Sequence, residues 1–546
     1  VATCYDLRPS MQSYMSGFVT NIFAPAKCYD NDAAGVKGRV ENINAALRGE
    51  GPTDRGVHLA QKYAIRFARL VCGAEAGTGV PVPFADVESV QTSATQRGIN
   101  YRAFISEPPS DPPALKTFQK AEAGVSITVP RIITPLEPEH KAESSAFMYA
   151  FTRLLSRHVW CSIGKDPSKI SKRTADICAA APFVLLTDYS RFDGRYNTLC
   201  SYVEEIVYKM FFNVIYWARL NKMWANERFR TAWTTFCYKY CTGDSRLSGA
   251  ARTAAGNSLF NAFIMFVVLC EYLDMSDEQA FSALGEFMGD DGVSADAPKE
   301  HVDAVALAFG LKLDAVVVPR GQLGVAYLSR QFTRAVWGGD PNSMCDPSRA
   351  LAKLTVAKPG IPIGSEAKLR EKLVSLRASD AQTPVIGQLV RKAQRWIDLA
   401  REHNDLYGLR SYYHTYIVEN QFPNHACDDF DDIFELSLPT FSRRCFDEWL
   451  DSVTTLGEFM DPPAFMPQDA AKAPEGAVLT DEVLSSELSS SESDDGTSSA
   501  GTDSYGSWEP GRWHEDEVRI AAEQKRPRVR NWNGPADGLE YDTSYE

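Results

Sequence analysis

The stretch Gly285–Asp296, GEFMGDDGVSAD, sets two aspartates side by side, Asp290 and Asp291, between apolar residues and a second β-leaning run. Its pattern is that of a β-hairpin with Gly-Asp-Asp at the turn. Like charges repel, and burying each unpaired carboxylate costs roughly several kcal/mol. A solvated surface turn is the simplest home for such a pair, and a divalent cation is the other. What else the chain carries decides between them.

Three further stretches bear on the choice. FVLLTDYSRFD (Phe183–Asp193) reads as an apolar strand running into a loop, which can aim Asp188 and Asp193 into one cleft. The simpler reading makes Asp193 a helix cap. SGAARTAAGN (Ser248–Asn257) carries Ser248, Gly249, Thr253 and Asn257 at the entrance to a very apolar helix. Gly249 permits an unusual turn and a close approach to a ligand. Thr253 and Asn257 stand four apart, on one helical face. The simpler reading is a serine N-cap and a polar surface. FQKAEAGVSITVPRIITPLEPEHK (Phe118–Lys141) places Lys120 and Arg131 beside β-type segments, with Lys141 beyond. Cations so presented suit a triphosphate, whereas solvated loop charges are the bland alternative.

The chain has 546 residues, enough for two or three subdomains or one large enzyme with an appendage. Its net charge of −14 is uneven. Residues 471–546 hold 17 acids against 7 bases, so the body is nearly balanced and can still present a basic channel. The 12 cysteines are scattered, and the nearest pair, Cys237 and Cys241, has no zinc-like second pair. They read as thiols of a reducing compartment. No signal peptide stands at the start, and Val1 in place of methionine suits a piece of a longer product. No apolar run reaches the length of about 18 residues needed for a membrane span. The longest, Ala262–Cys270, reads as part of a buried helix.

Along the chain, Val57–Cys72 reads as an amphipathic helix and SEPPSDPPALK (106–116) as a loop. Residues 199–220 read as one long helix, 257–273 as a second, buried one, and 301–318 as helix then strand. From about 350 to 460 the pattern is mostly helical, with patches such as QLVRKAQRWIDLAREH and RSYYHTYIVE. Beyond about 465 the acidic, serine-rich composition reads as disordered. That tail reads as a spacer, or as a segment that binds partners once its serines are phosphorylated. Within it the basic cluster KRPRVR (525–530) is a nuclear-import or RNA-contacting patch, or only a charge-balancing run.

The ordered set resembles viral RNA-dependent RNA polymerases. Lys120, Glu122 and Arg131 look like motif F, Asp188 and Asp193 like motif A, and Ser248, Gly249, Thr253 and Asn257 like motif B. Gly289, Asp290 and Asp291 look like motif C, AFGLKLDAVVV like motif D and VAYLSRQF like motif E. RIITPLEPEHK, TDYSRFDGR, MGDDGVSAD, GVAYLSRQF, PNSMCDPSRALAKL and SDAQTPVI are closest to nodavirus replicases, with tombusvirus-like enzymes as neighbours. The likeness covers roughly residues 1–410. The capping region and membrane anchor that nodavirus replicases carry ahead of the polymerase are not visible in this sequence.

The resemblance implies an α+β right-hand fold with an antiparallel palm sheet. Its expected parts are an N-terminal extension and fingers (1–110), fingers with motif F (111–182), palm with motifs A to E and an inserted fingers segment (183–340), and a helical thumb (341–464). A disordered acidic tail (465–546) completes the chain. It implies that Asp188, Asp290 and Asp291 hold Mg²⁺, or Mn²⁺, for two-metal nucleotidyl transfer. Lys120 and Arg131 would bind the triphosphate. Asp193 and Asn257, with Ser248, would read the nucleotide's ribose, Thr253 is a further nucleotide-binding residue, Gly249 would let the motif B loop shift against the template, and Lys312 is the candidate general acid. The implied partners are a single-stranded RNA template, nascent RNA, ribonucleoside triphosphates, and host or viral replication proteins reached through the tail. The implied setting is the host cytoplasm, in a membrane-associated replication complex whose anchor lies outside this chain. The alternative is an inactive, polymerase-shaped RNA-binding scaffold with the tail as its partner-binding segment.

Overall fold

A computed structural model of the chain describes residues 9–19, 22–91, 93–105, 113–124, 126–359, 364–399 and 422–467. At its centre four strands lie in the order Glu286–Met288, Asp291–Ala295, Phe183–Tyr189 and Leu313–Pro319. Every neighbouring pair is antiparallel. The expected hairpin is present, with Met288 opposite Asp291, so Gly289 and Asp290 form its turn. Gly289 adopts φ of 69°, a left-handed conformation that glycine takes without steric cost.

Both faces of this sheet are covered. Successive residues of a strand point to opposite faces. Leu185, Tyr189 and Phe287 pack into the main core, while Val184, Val293 and Val318 pack with Val336 and Trp337 on the other side. Hence the central strand reads as an unbroken apolar run rather than an alternating one.

The main core is built on the helices Asp54–Cys72, Thr198–Phe211 and Thr253–Glu271. The last is long and apolar enough to cross a membrane by length and composition, yet 89% of its most apolar window is buried inside the fold. Residues 199–220 are not one helix. The chain breaks at Phe212, which is extended, buried and bridged to Gly79. Asn213 then accepts from Ile215 N and starts a new turn, and the helix Trp217–Ala225 follows. Apolar periodicity runs through such a break, because Phe212 is as apolar as its helical neighbours.

A second four-stranded sheet has the order Ile132–Ile133, Leu115–Gln119, Thr231–Thr234 and Lys239–Cys241, and its middle pair is parallel. Farther on, helices Pro347–Leu354, Ser365–Asp380, Ile386–Ala393, Asp429–Ser437 and Arg443–Ser452 enclose a separate core around Leu369, Leu389, Phe434 and Phe446. Phe18, from the opposite end of the chain, fills the same core. The helical run expected from residue 388 stops at Ala393. RSYYHTYIVE, most of the expected 106–116 loop and the tail from residue 468 lie outside the described residues. Cys237 and Cys241 are free and exposed.

Candidate active site

The central strand delivers Asp188 to the rim of a cavity of about 300 Å³, and the hairpin turn delivers Asp290 to the same cavity. Asp193, Ser248 and Arg131 line it as well. Residues scattered over more than 150 positions of sequence thus converge on one space.

The carboxylates are crowded. Burial pushes the Asp188 carboxyl above its ordinary range, and the charges of Asp290 and Asp314 push further. Asp290 is raised by burial and by Asp193, against the pull of Arg131. Asp291 is pushed up to about 6 by burial, Asp290 and Asp188, with Arg349 opposing. Such repulsion among oxygen donors is what a hard divalent cation relieves, so the donor chemistry fits Mg²⁺ or Mn²⁺. Among the described residues, however, no three His, Cys, Asp or Glu side chains converge into a ready-made metal cluster. Asp188 Oδ1 accepts instead from Tyr189 N at 2.6 Å.

The buried helix Thr253–Glu271 supports the site through three polar side chains. Asn257 Nδ2 donates to Asp193 Oδ1 at 2.8 Å. Ser258 Oγ accepts from Gly289 N at 2.7 Å. Asn261 Nδ2 reaches the carbonyls of Gly289, Asp290 and Asp291, the nearest at 2.9 Å. The helix therefore holds the turn by its backbone and leaves the aspartate side chains free of it. Asn257 was foreseen, but Ser258 and Asn261 were not. Their signal was present as polar residues inside an otherwise apolar helix, where each needs a partner.

Asp193 does not cap its short helix; Arg191 occupies that position. Ser248 Oγ accepts from Thr134 N at 3.3 Å and donates to Ile132 O at 3.1 Å, tying its loop to the segment after Arg131. Gly249 does make a close approach, but to this chain's own backbone. A Cβ there would sit 2.5 Å from Thr134 O and 2.8 Å from Pro135 Cα. Thr253 is not among the residues that line the cavity and donates to Leu247 O and Ala250 O, which ties the start of the helix to the loop before it. The expected shared face of Thr253 and Asn257 is not used, because Thr253 is taken up locally.

Lys120 N donates to Arg131 O at 2.8 Å, which joins the two cationic positions by backbone. Both side chains pair with Glu122, Lys120 at 3.0 Å and Arg131 at 3.7 Å. Of the two, Arg131 lines the cavity. Lys141 lies on the helix Pro138–Leu155, where burial lowers its pKa. Lys312 is exposed at the head of the strand Leu313–Pro319, and its carbonyl accepts from Ser190 N at 2.9 Å.

Beneath the site runs a buried ionic chain. Arg246 donates to Glu204 at 2.6 Å, both side chains being fully buried. Arg252 joins Glu204 to Glu227, and Glu227 meets His140 at 3.0 Å. Arg246 N also donates to Asp193 O at 2.9 Å, so this chain fixes the backbone that carries Asp193.

The sequence is similar to that of the RNA-directed RNA polymerase of Greasy grouper nervous necrosis virus, 30% identical over 464 residues, covering 81% of this chain and 45% of that protein. It is 29% identical over 494 residues to the RNA-directed RNA polymerase of Atlantic halibut nervous necrosis virus, covering 86% of this chain and 48% of that one. The chain thus spans about half the length of the curated relatives it matches. No protein-family model matches. A solved structure, an insertion-loop deletion mutant of the RNA-dependent RNA polymerase of a human picorbirnavirus, is similar at a TM-score of 0.46 and 12% identity, over 64% of this chain and 77% of that one.

Proposed function

We propose that this chain, a nodavirus-like homologue of the viral RNA-dependent RNA polymerases, copies a single-stranded RNA template from ribonucleoside triphosphates by nucleotidyl transfer. The observation that carries the reading is the convergence of Asp188, Asp193, Asp290 and Arg131 on one cavity. In this reading the antiparallel sheet that holds Asp188 and Asp290 is the palm of a right hand, within residues 183–340. Residues 1–182 supply the N-terminal extension and fingers, and the helices within 341–464 form the thumb.

Asp188, Asp290 and Asp291 would hold Mg²⁺ or Mn²⁺, which when bound activates the primer 3′-hydroxyl and neutralises charge on the phosphates. The chain's own groups do the rest. Arg131, tied to Lys120 through the backbone, places a cation against the triphosphate and offers a planar fork to phosphate oxygens. Asp193 and Asn257 face the ribose. Asn257 Oδ1 is buried and has no hydrogen-bond partner among the described residues, so it can accept from a 2′-hydroxyl. Ser248 and Gly249 hold their loop against residues 132–135, so template contacts at that loop and triphosphate contacts at Arg131 are mechanically joined. Lys312 stands exposed beside the loop after Asp188, from where it would deliver a proton to leaving pyrophosphate. The resemblance extends the proposal to work in the host cytoplasm on a membrane-associated complex, with further replication proteins as partners.

The test is incorporation of labelled ribonucleotides on a single-stranded RNA template with Mg²⁺ or Mn²⁺, beside the Asp290→Asn variant. Template-complementary product from the chain and none from the variant is the expected result. Equal product from both, or none from either on primed and unprimed templates, would overturn the reading.

A further inference from the structure

Two further arginines, with no role assigned above, line the same cavity: Arg39, from the N-terminal helices, and Arg191, from the loop after Asp188. We propose that Arg39 and Arg191 join Arg131 in a three-arginine cradle for the triphosphate of the incoming nucleotide, so that the N-terminal helices form one wall of the substrate site. The inference rests on the polymerase reading and names residues for its substrate.

Arg39 lies in a π-helical turn, Lys37–Glu41, between the helices Tyr29–Val36 and Asn42–Glu50. Such wide turns are rare and gather at functional sites. Its guanidinium is aimed by the backbone: Nε donates to Val129 O and Pro130 O, both at 3.1 Å, and Nη2 to Val129 O at 2.8 Å. Those carbonyls directly precede Arg131. Arg191 adopts φ of 57°, a left-handed conformation that is costly for a side chain of its size, and donates to Gly38 O. The two segments also touch at Gly194, where a Cβ would stand 2.8 Å from Arg39 O. The guanidiniums of Arg39 and Arg191 are thus each held by backbone carbonyls that neighbour another of the three arginines.

The arrangement holds like charges together. Burial, then Arg131 and Arg191, lower the Arg39 pKa to about 10. Among the described residues neither Arg39 nor Arg191 forms an ion pair with a carboxylate. Confined cations of one sign call for an anion of matching charge. Arg131 already meets Glu122, which leaves Arg39 and Arg191 for the anion, and a polyphosphate offers several acceptors to the three planar forks. The arginines share the cavity with Asp188, Asp193 and Asp290, so a molecule bound there meets both cationic and anionic groups.

The test measures binding of inorganic tripolyphosphate to the full chain by calorimetry, for the unaltered protein, Arg39→Ala, Arg191→Asn and Arg444→Ala. Asparagine tolerates the left-handed backbone at 191. Arg444 is exposed on a distant helix and pairs with Glu448, so it serves as control. The expected result is a loss of about tenfold or more in tripolyphosphate affinity for each of the first two, with the control unchanged. KM for ribonucleotides should rise similarly, with kcat and RNA affinity nearly constant. If Arg39→Ala melts early, Arg191→Asn carries the decision. Unchanged tripolyphosphate affinity in a folded Arg191→Asn protein overturns the proposal. So does a loss confined to RNA affinity, which would assign the arginines to the RNA backbone. Absence of RNA synthesis in the unaltered protein, with tripolyphosphate binding lost in both variants, would sink the polymerase reading and leave the cradle standing.

Discussion

Asn257 Nδ2 donates to Asp193 Oδ1 at 2.8 Å across 64 positions of sequence, leaving Asn257 Oδ1 buried with no partner among the described residues. In the proposed reading a ribonucleotide fills that acceptor with its 2′-hydroxyl, and a deoxynucleotide leaves it empty. A hydrogen bond between neutral groups is worth about 0.5–1.5 kcal/mol, which is roughly 2- to 10-fold in discrimination. Asn257→Ala and Asp193→Ala should therefore narrow the preference for ribonucleotides by about that factor, measured as the ratio of kcat/KM values. An unchanged ratio in both variants would remove the pair from sugar recognition.

The crowding of Asp188, Asp290 and Asp291 makes activity and stability pull in opposite directions. Each raised carboxyl is a destabilised anion at neutral pH. Asp290→Asn should raise Tm by a few degrees while lowering incorporation by about a thousandfold or more. Millimolar Mn²⁺ should raise the Tm of the unaltered protein and have much less effect on the variant. A variant that melts lower and still responds fully to Mn²⁺ would mean that these carboxylates are neither strained nor metal-holding.

Gly249 sits where any Cβ meets fixed backbone rather than a movable side-chain tip. Gly249→Ala must push residues 248–249 away from Thr134 and Pro135, breaking the bonds of Ser248 to Thr134 N and Ile132 O. The expected outcome is a cost of about 1–3 kcal/mol in urea unfolding and at least tenfold weaker activity. Template affinity and KM for ribonucleotides should worsen together under the proposed reading, because Ser248 ties the loop to the segment after Arg131. A change confined to one of them would separate the loop from the Arg131 segment.

Residues with a distinctive local pattern were legible in the sequence. Asp188 ends an apolar strand, Asp290 sits at a hairpin turn, and Asn257 opens a helix, so local pattern carried each of them. Arg39 and Arg191 were not legible, because their convergence depends on how the N-terminal helices pack against the loop after Asp188. Ser258 and Asn261 looked like incidental polarity until the turn they bind was in place. The break at Phe212 was hidden for the opposite reason: a buried extended phenylalanine has the same hydropathy as a helical one. The second core was readable as helices, but the strap from Phe18 into it is a contact between opposite ends of the chain, which periodicity does not register.

One buried acid lies just below the carboxylate turn without taking part in it. Glu286 is fully buried on the strand Glu286–Met288. Thr174 Oγ1 donates to its Oε2 at 3.3 Å, and its Oε1 has no partner among the described residues. Lys165 and Arg173 stand near, but Lys165 donates to His158 O and Val159 O, and Arg173 to Leu284 O. Burial therefore dominates and pushes the Glu286 carboxyl up to about 7. Between the ordinary value of 4.5 and about 7 the folded chain binds more protons here than the unfolded chain. The contribution of Glu286 to stability must then fall as pH rises through that window and stay low above it. The full span is on the order of 3 kcal/mol. Glu286→Gln keeps the shape and an acceptor for Thr174 and cannot ionise. In urea unfolding the variant should match the unaltered protein near pH 4 and exceed it by up to about 3 kcal/mol near pH 8. Because every other titrating group is common to the two proteins, the difference between them isolates this one. A difference that stays constant from pH 5 to pH 8 would show that Glu286 ionises normally, with water or a cation reaching Oε1.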